Sequence, residues 1–188
     1  AMKIFKSLDD KRGEAISLGH LGNIHRLLGH LDAAEEFHLR ALSLQQETGD
    51  RRGEGIALGQ LGNLYRIQGR LHEANRYYGL ALKIHRELGD RNGEGIDLNN
   101  LGNLLMRQGR LREAEKHYKK ALDIHRRSGD RRGEGIASGQ LGNLYRMKGD
   151  FHKAEPLQRN ALQLQRTLDD KRGEGIGLNN LGNLYRSQ

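Results

Sequence analysis

Asn23, Asn63, Asn103, Asn143 and Asn183 recur at steps of forty residues, and Arg26, Arg66, Arg146 and Arg186 follow three residues behind them in four of the five copies. Met106 interrupts the arginines, with Arg107 beside it. Four residues ahead of each asparagine stand Gly19, Gly59, Asn99, Gly139 and Asn179, flanked by His20, Gln60, Asn100, Gln140 and Asn180. A carboxamide carries one acceptor and two donors, the complement of the N–H and C=O of an extended chain whatever its sequence. The guanidinium fork matches a carboxylate. Together these rows suit an extended acidic peptide. The candidate binding residues are Asn23, Asn63, Asn99, Asn103, Asn143, Asn179, Asn183, Arg26, Arg66, Arg146 and Arg186. Two structural readings stay open here: the asparagines bonding a neighbouring helix to fix the repeat geometry, and the arginines pairing with nearby acids.

Nine histidines invite metal or catalytic chemistry, but they do not converge. His85 and His125 share one place in the copies and His72 and His152 another, while His20 and His25 are five apart. No metal site follows. With no cysteine there is no disulfide, thiolate ligand or thiol nucleophile. No nucleophile, base and orienting residue recur together, so neither an enzyme nor a cofactor is expected. The G-E-G stretch follows no strand and is weak evidence for anion binding.

Rows of this kind act together only if the chain holds each on one face. Close copies of GEGIALGQLGNLYR, residues 53–66, begin at Gly13, Gly53, Gly93, Gly133 and Gly173 without a gap. Such a period marks stacked repeats whose neighbours bury one another's apolar faces. Gly-Asp at 49–50, 89–90 and 129–130, and Asp-Asp at 9–10 and 169–170, read as turns. The first residue closes a helix in the left-handed conformation and the second caps the next. The helix that follows, A, runs to about Gly29, Gly69, Gly109 and Gly149; helix B then opens with Leu31, Leu71, Leu111 or Phe151. At ~100° per residue, Leu58, Leu61, Gly62 and Tyr65 share one arc of helix A, and Gly59, Asn63 and Arg66 lie on nearly the opposite one. Gly22, Gly62, Gly102, Gly142 and Gly182 sit mid-helix at a cost of ~1 kcal/mol each, which predicts close approach of helix B of the same copy. Glu14, Glu54, Glu94, Glu134 and Glu174 suit the positive end of helix A. Pro156 inside a helix B predicts a lost backbone bond and a kink.

The spacing Leu58, Leu61-Gly62, Tyr65, Gly69, Ala74, Tyr78 and Ala81 resembles the tetratricopeptide repeat, with Leu58 where the family usually has Trp and with no Pro after helix B. Helix B runs six residues longer than usual, through KIHREL, similar to the forty-residue repeats of Pins/LGN-type scaffolds. The resemblance covers the whole chain and implies an all-α fold, a right-handed α-solenoid of stacked antiparallel helix pairs. It also implies that the polar stripe of every helix A faces a concave groove that binds extended peptides. The expected organisation is one array over 1–188 of about 4.7 units: the end of a helix B at 1–8, helix pairs at 9–48, 49–88, 89–128 and 129–168, and a last helix A at 169–188.

The formal charge of +8 favours acidic partners. It also motivates a nucleic-acid alternative, disfavoured because Tyr65, Tyr145 and Tyr185 fall on the core arc and not along a strand-binding channel. No apolar run reaches the ~20 residues of a membrane span and no signal peptide opens the chain, which fits the cytoplasm. Ordering each ligand residue costs ~1–2 kcal/mol against ~0.5–1.5 net per neutral hydrogen bond, so three adjacent units are expected to act together. Met2, Ile4 and Phe5 at one end and Leu178, Leu181 and Leu184 at the other are expected to lack cover, either because the array continues or because copies join end to end.

Overall fold

The computed structural model describes residues 10–187, within which nine helices follow one another and no strand occurs. They are α1 (Lys11–Leu27), α2 (Leu31–Glu47), α3 (Arg51–Ile67), α4 (Leu71–Glu87), α5 (Arg91–Arg107), α6 (Leu111–Ser128), α7 (Arg131–Met147), α8 (Phe151–Thr167) and α9 (Lys171–Ser187). Odd-numbered helices are the A helices and even-numbered ones the B helices. Contacts divide the chain into two units meeting between Gly93 and Glu94. In the first, α1 packs on α2, α2 on α3 and α3 on α4, with α1 also touching α3. In the second, α6 packs on α7, α7 on α8 and α8 on α9, with α9 also touching α7.

The helix starts follow from the aspartates. Asp10, Asp50, Asp90, Asp130 and Asp170 each accept the backbone N–H three residues on, from Gly13, Gly53, Gly93, Gly133 and Gly173, at 2.9–3.0 Å. One of the orphan donors of every A helix is thereby satisfied. The preceding turn needs a positive φ, met by Gly49, Gly89 and Gly129 at 67–72° and by Asp169 at 51°. Asp169 adopts the left-handed conformation that glycine enters without strain. Helix α8 continues through Pro156 to Thr167.

Four of the five mid-helix glycines of the A helices meet one side chain of the B helix in their own repeat. A Cβ at Gly62 would lie 2.6 Å from the Tyr78 ring, one at Gly102 2.6 Å from Tyr118, one at Gly22 2.7 Å from His38, and one at Gly142 2.8 Å from the Gln158 amide. The expected close approach is therefore made, and it is a side chain that fills the space. Tyr78 and Tyr118 are fully buried there. Alanines four residues before and three after them, Ala74 and Ala81, Ala114 and Ala121, are also at 0% exposure, so the B helix lies close against its A helix.

Successive repeats are tied by polar bonds at the edges of this core. Tyr65 Oη donates to Glu35 and Tyr145 Oη to Glu115, both at 2.8 Å. Across the turns, Gln46 donates to Glu54 at 3.0 Å, Arg126 to Glu134 at 2.9 Å and Arg166 to Glu174 at 2.8 Å. Glu54, Glu134 and Glu174 thus join α3, α7 and α9 to the B helices before them.

Met2, Ile4 and Phe5 lie outside the described residues. At the other end Leu178 is 49% exposed and Leu181 half-buried, but Leu184 is fully buried. The expectation that Leu184 lacks cover is corrected, because its place, like that of Leu64, Leu104 and Leu144, is buried without a following B helix.

Alanine at Gly62 is expected to lower the unfolding free energy by ~1–3 kcal/mol through collision with Tyr78. Alanine at Gly182, where a Cβ meets nothing within 4 Å, is expected to be neutral or to add up to ~1 kcal/mol. Denaturant titration of the two variants checks this; equal effects would contradict it.

Candidate functional site

The tyrosine that fills each glycine also reaches the next residue of the A helix. Tyr78 Oη donates to Asn63 Oδ1 and Tyr118 Oη to Asn103 Oδ1, both at 2.8 Å. In the following repeat Gln158 Nε2 donates to Asn143 Oδ1 at 3.1 Å and to the Gly139 carbonyl at 3.0 Å. Part of the ladder is therefore bonded to a neighbouring helix, one of the two readings left open by the sequence. One acceptor position of Asn63, Asn103 and Asn143 is taken in this way. Their N–H groups have no partner among the described residues, and the half-buried side chains hold these donors in fixed directions.

The other amides divide by position. Asn23 is half-buried, with His38 in place of the tyrosine and no bond to it. Asn99 is 5% exposed with its Oδ1 unpartnered, whereas Gly19, Gly59 and Gly139 at the same place of other repeats are half-buried. Asn179 is exposed, and Asn183 accepts from Arg186 at 2.8 Å.

The arginines are not neutralised within the chain. Arg26, Arg66, Arg146 and Arg186 form no ion pair among the described residues, and Nε of Arg26 and of Arg146 is buried without a hydrogen-bond partner. Arg146 reaches only the Ser187 hydroxyl, at 3.4 Å. Elsewhere, by contrast, Arg51, Arg70, Arg110, Arg126, Arg131, Arg159 and Arg166 are each paired with a glutamate. The stripe thus keeps unspent positive charge beside donor-rich amides.

Between neighbouring A helices the stripe opens into grooves. One of about 330 Å³ lies between α1 and α3 above α2, and one of about 390 Å³ between α7 and α9 above α8. They lie in different units yet are lined by equivalent residues three repeats apart. Ile16, Gly19, Asn23, Ala41, Arg52 and Ile56 in the first correspond to Ile136, Gly139, Asn143, Ala161, Arg172 and Ile176 in the second. Alanine and glycine make the floor, isoleucines the walls, and amide and guanidinium groups the rim. Ile16, Ile56, Ile96, Ile136 and Ile176 are 48–57% exposed, so a hydrophobic row runs beside the polar one. It escaped the sequence reading, which sought chemistry in polar types. The signal was present: the isoleucines recur in all five copies, seven residues ahead of the asparagines and so on the same face.

No group of three or more His, Asp or Glu among the described residues is placed to hold a metal ion, and no described helix is long and apolar enough to cross a membrane.

Stacked helix pairs carrying a repeated polar stripe define an all-α repeat protein of the solenoid class. The chain belongs to the tetratricopeptide-repeat family, whose model matches residues 13–87, 53–127 and 94–167, and it is an interaction scaffold of that family. The match is to the family; the narrower Pins/LGN type rests on the sequence period. No curated protein matches the sequence significantly. Among solved structures it is similar to BtubC (BKLC) from P. vanneervenii, with a TM-score of 0.82 and 23% identity over 97% of this chain and 76% of that one. It is also similar to aspartyl phosphate phosphatase F from Bacillus subtilis, with a TM-score of 0.81 and 11% identity over 94% of this chain and half (50%) of that one. A Podosopora anserina protein with nearly identical TPR-like repeats gives a TM-score of 0.74 and 15% identity over 94% of this chain and 87% of that one. At these identities the likeness is one of fold.

His38 sets the first groove apart. Burial, and then the nearby Arg26 charge, push its pKa from 6.5 down to about 4, and neither ring nitrogen has a partner. The folded state holds the ring neutral, so its contribution is full above pH 6.5 and is lost as pH falls from 6.5 to about 4. Tyrosine at this place is expected to lie over Gly22 and donate to Asn23, as Tyr78 does to Asn63. The stability gap between His38→Tyr and wild type should widen on acidification across that window and level off below it. Urea titrations at a series of pH values measure the gap; a constant gap would contradict the assignment.

Proposed function

We propose that the grooved stripe of the A helices binds an extended, acidic peptide segment of a partner protein. The carrying observation is where charge is left over: Arg51, Arg126 and Arg166 are spent on glutamates, whereas Arg26, Arg66 and Arg146 on the stripe have no ion pair among the described residues. Half-buried guanidinium groups without an ion pair favour a carboxylate ligand, and the bond formed is of the stronger, charge-assisted kind. The N–H groups of Asn63, Asn103 and Asn143 add donors for the ligand's carbonyl oxygens. Because one acceptor position of each amide is already used, the stripe reads acceptors better than donors. The alanine and glycine floor and the isoleucine walls accommodate an apolar side chain between acidic ones.

In this reading the protein acts by holding a partner and not by catalysis, in the cytoplasm, where its cysteine-free composition is at home.

The test is fluorescence polarisation of labelled peptides, some alternating Asp or Glu with Leu and others carrying Lys in place of the acids, and of a single-stranded oligonucleotide. The acidic peptides are expected to bind, more weakly as salt rises. Arg26→Gln, Arg66→Gln and Arg146→Gln, checked for folding by circular dichroism, should each weaken binding by about tenfold where the arginine is engaged. Equal binding of acidic and basic peptides, or binding of the oligonucleotide alone, would overturn the proposal.

A further inference from the structure

The two grooves match along their walls and differ at the floor. His38 lines the first, together with Gly19, Asn23 and Ala41. The second is lined by Gly139, Asn143 and Ala161 without the counterpart of His38, Gln158, whose amide is engaged by Asn143 and the Gly139 carbonyl. His38 is 1% exposed, and both of its ring nitrogens lack a partner. A neutral imidazole carries one donor and one acceptor, so two capacities are unmet at a place where Tyr78, Tyr118 and Gln158 each bond an asparagine. The Nε of Arg26 is buried and unmet as well, and the Arg26 charge acts on the ring. A buried polar group without a partner is a standing cost that a ligand able to meet it removes.

The charges around the ring select that ligand. Among the described residues, α1 brings His20 to the groove and Arg26 to the ring, the turn before α3 brings Asp50, and α3 brings Arg52. His25 of α1 lies instead against Phe37, with ring centroids 5.0 Å apart, and Glu35 of α2 is held by Tyr65 and Arg70. Asp50 already accepts from the Gly53 N–H, and Arg52 lies 3.5 Å from Asp90. What is left unmet is therefore cationic or able to become so: Arg26 and the His38 ring.

We infer that a side-chain carboxylate of the ligand entering the first groove is met by the His38 ring, which takes up a proton from solvent as it binds, so that this groove is an anchor strengthened by acid. The inference rests on the acidic-peptide reading and adds to it a residue that sets where and at what pH the peptide is held. In the unliganded chain burial and then Arg26 keep the ring neutral. A carboxylate beside the ring favours its charged form and offsets the Arg26 charge. An amide at the same place, as in the second groove, cannot titrate, so the two grooves respond differently to pH.

The probe is a labelled peptide alternating Glu with Leu, amidated at its C-terminus so that every carboxylate is a side chain. Fluorescence polarisation follows its binding at about pH 7.5 and about pH 5.5, across which glutamate stays ionised. Wild-type affinity is expected to be about tenfold higher at the lower pH, the gain for a ring whose pKa returns on binding to its ordinary value near 6.5. His38→Gln installs the residue that the fourth repeat carries at this place; with its fold checked by circular dichroism, it should bind the peptide equally at both pH values. Wild-type binding that does not change with pH, or a rise on acidification that His38→Gln retains, overturns the inference and leaves the acidic-peptide reading standing. No binding of the peptide at either pH overturns both.

Discussion

The fold rests on one steric and polar fit made within each repeat. A glycine in the middle of helix A leaves a hollow, a side chain of helix B fills it, and where that side chain is tyrosine its hydroxyl meets the asparagine beside the glycine. Glycine costs helix propensity, so its use is intelligible only if the contact it permits returns more. A fully buried tyrosine supplies that return through its apolar area and through a satisfied hydroxyl. Variation at the filling position shows what the hollow demands. Gln158 keeps a donor for Asn143 and adds the Gly139 carbonyl, whereas His38 fills the space yet leaves both nitrogens without partners. At this position the first repeat therefore leaves two ring nitrogens unpartnered, and the fourth leaves Gln158 Oε1 so.

That fit also shapes the surface where ligands would come. By drawing on the oxygen of Asn63, Asn103 and Asn143 it orients those amides and leaves their N–H groups free, turning a hydrogen-bonding group that both donates and accepts into one that mainly donates. The ion pairs do the complementary selection. Glutamates at the helix starts and on the B helices gather many of the arginines and lysines, and hydrogen bonds from Lys119 and Lys148 lower the Glu115 pKa from 4.5 to about 2. The stripe arginines are left out of this network. A donor-rich, cationic, grooved face thus follows from where the chain spends its own acceptors.

Much of this was legible in the sequence. The turns, the aspartate caps, the helix order and the reason for the mid-helix glycines follow from Gly-Asp and Leu-Gly-Asn recurring at a fixed period. What was not legible was reach across the helix pair. Asn63 and Tyr78 are fifteen residues apart, and which of several B-helix side chains meets the amide depends on how closely the helices approach. Asn99 shows a related limit: the stripe pattern groups it with the other amides, and only the folded chain shows that it is 5% exposed. The isoleucine row was passed over because isoleucine on an amphipathic helix is ordinarily core, and only the placed neighbours show these side chains half in solvent. Leu184 failed in the opposite direction, being buried by preceding helices when a following helix was thought necessary.

The central claim is that the tyrosine hydroxyl and the asparagine amide act as a unit that holds the helix pairs α3–α4 and α5–α6. A double-mutant cycle at one repeat measures this directly: unfolding free energies of wild type, Tyr118→Phe, Asn103→Ala and the double variant. Phenylalanine keeps the ring over Gly102 and removes only the hydroxyl. A coupling of ~0.5–1.5 kcal/mol between the two positions is predicted. Additivity within ~0.3 kcal/mol would show that the asparagine is held by something other than the tyrosine and would contradict the account.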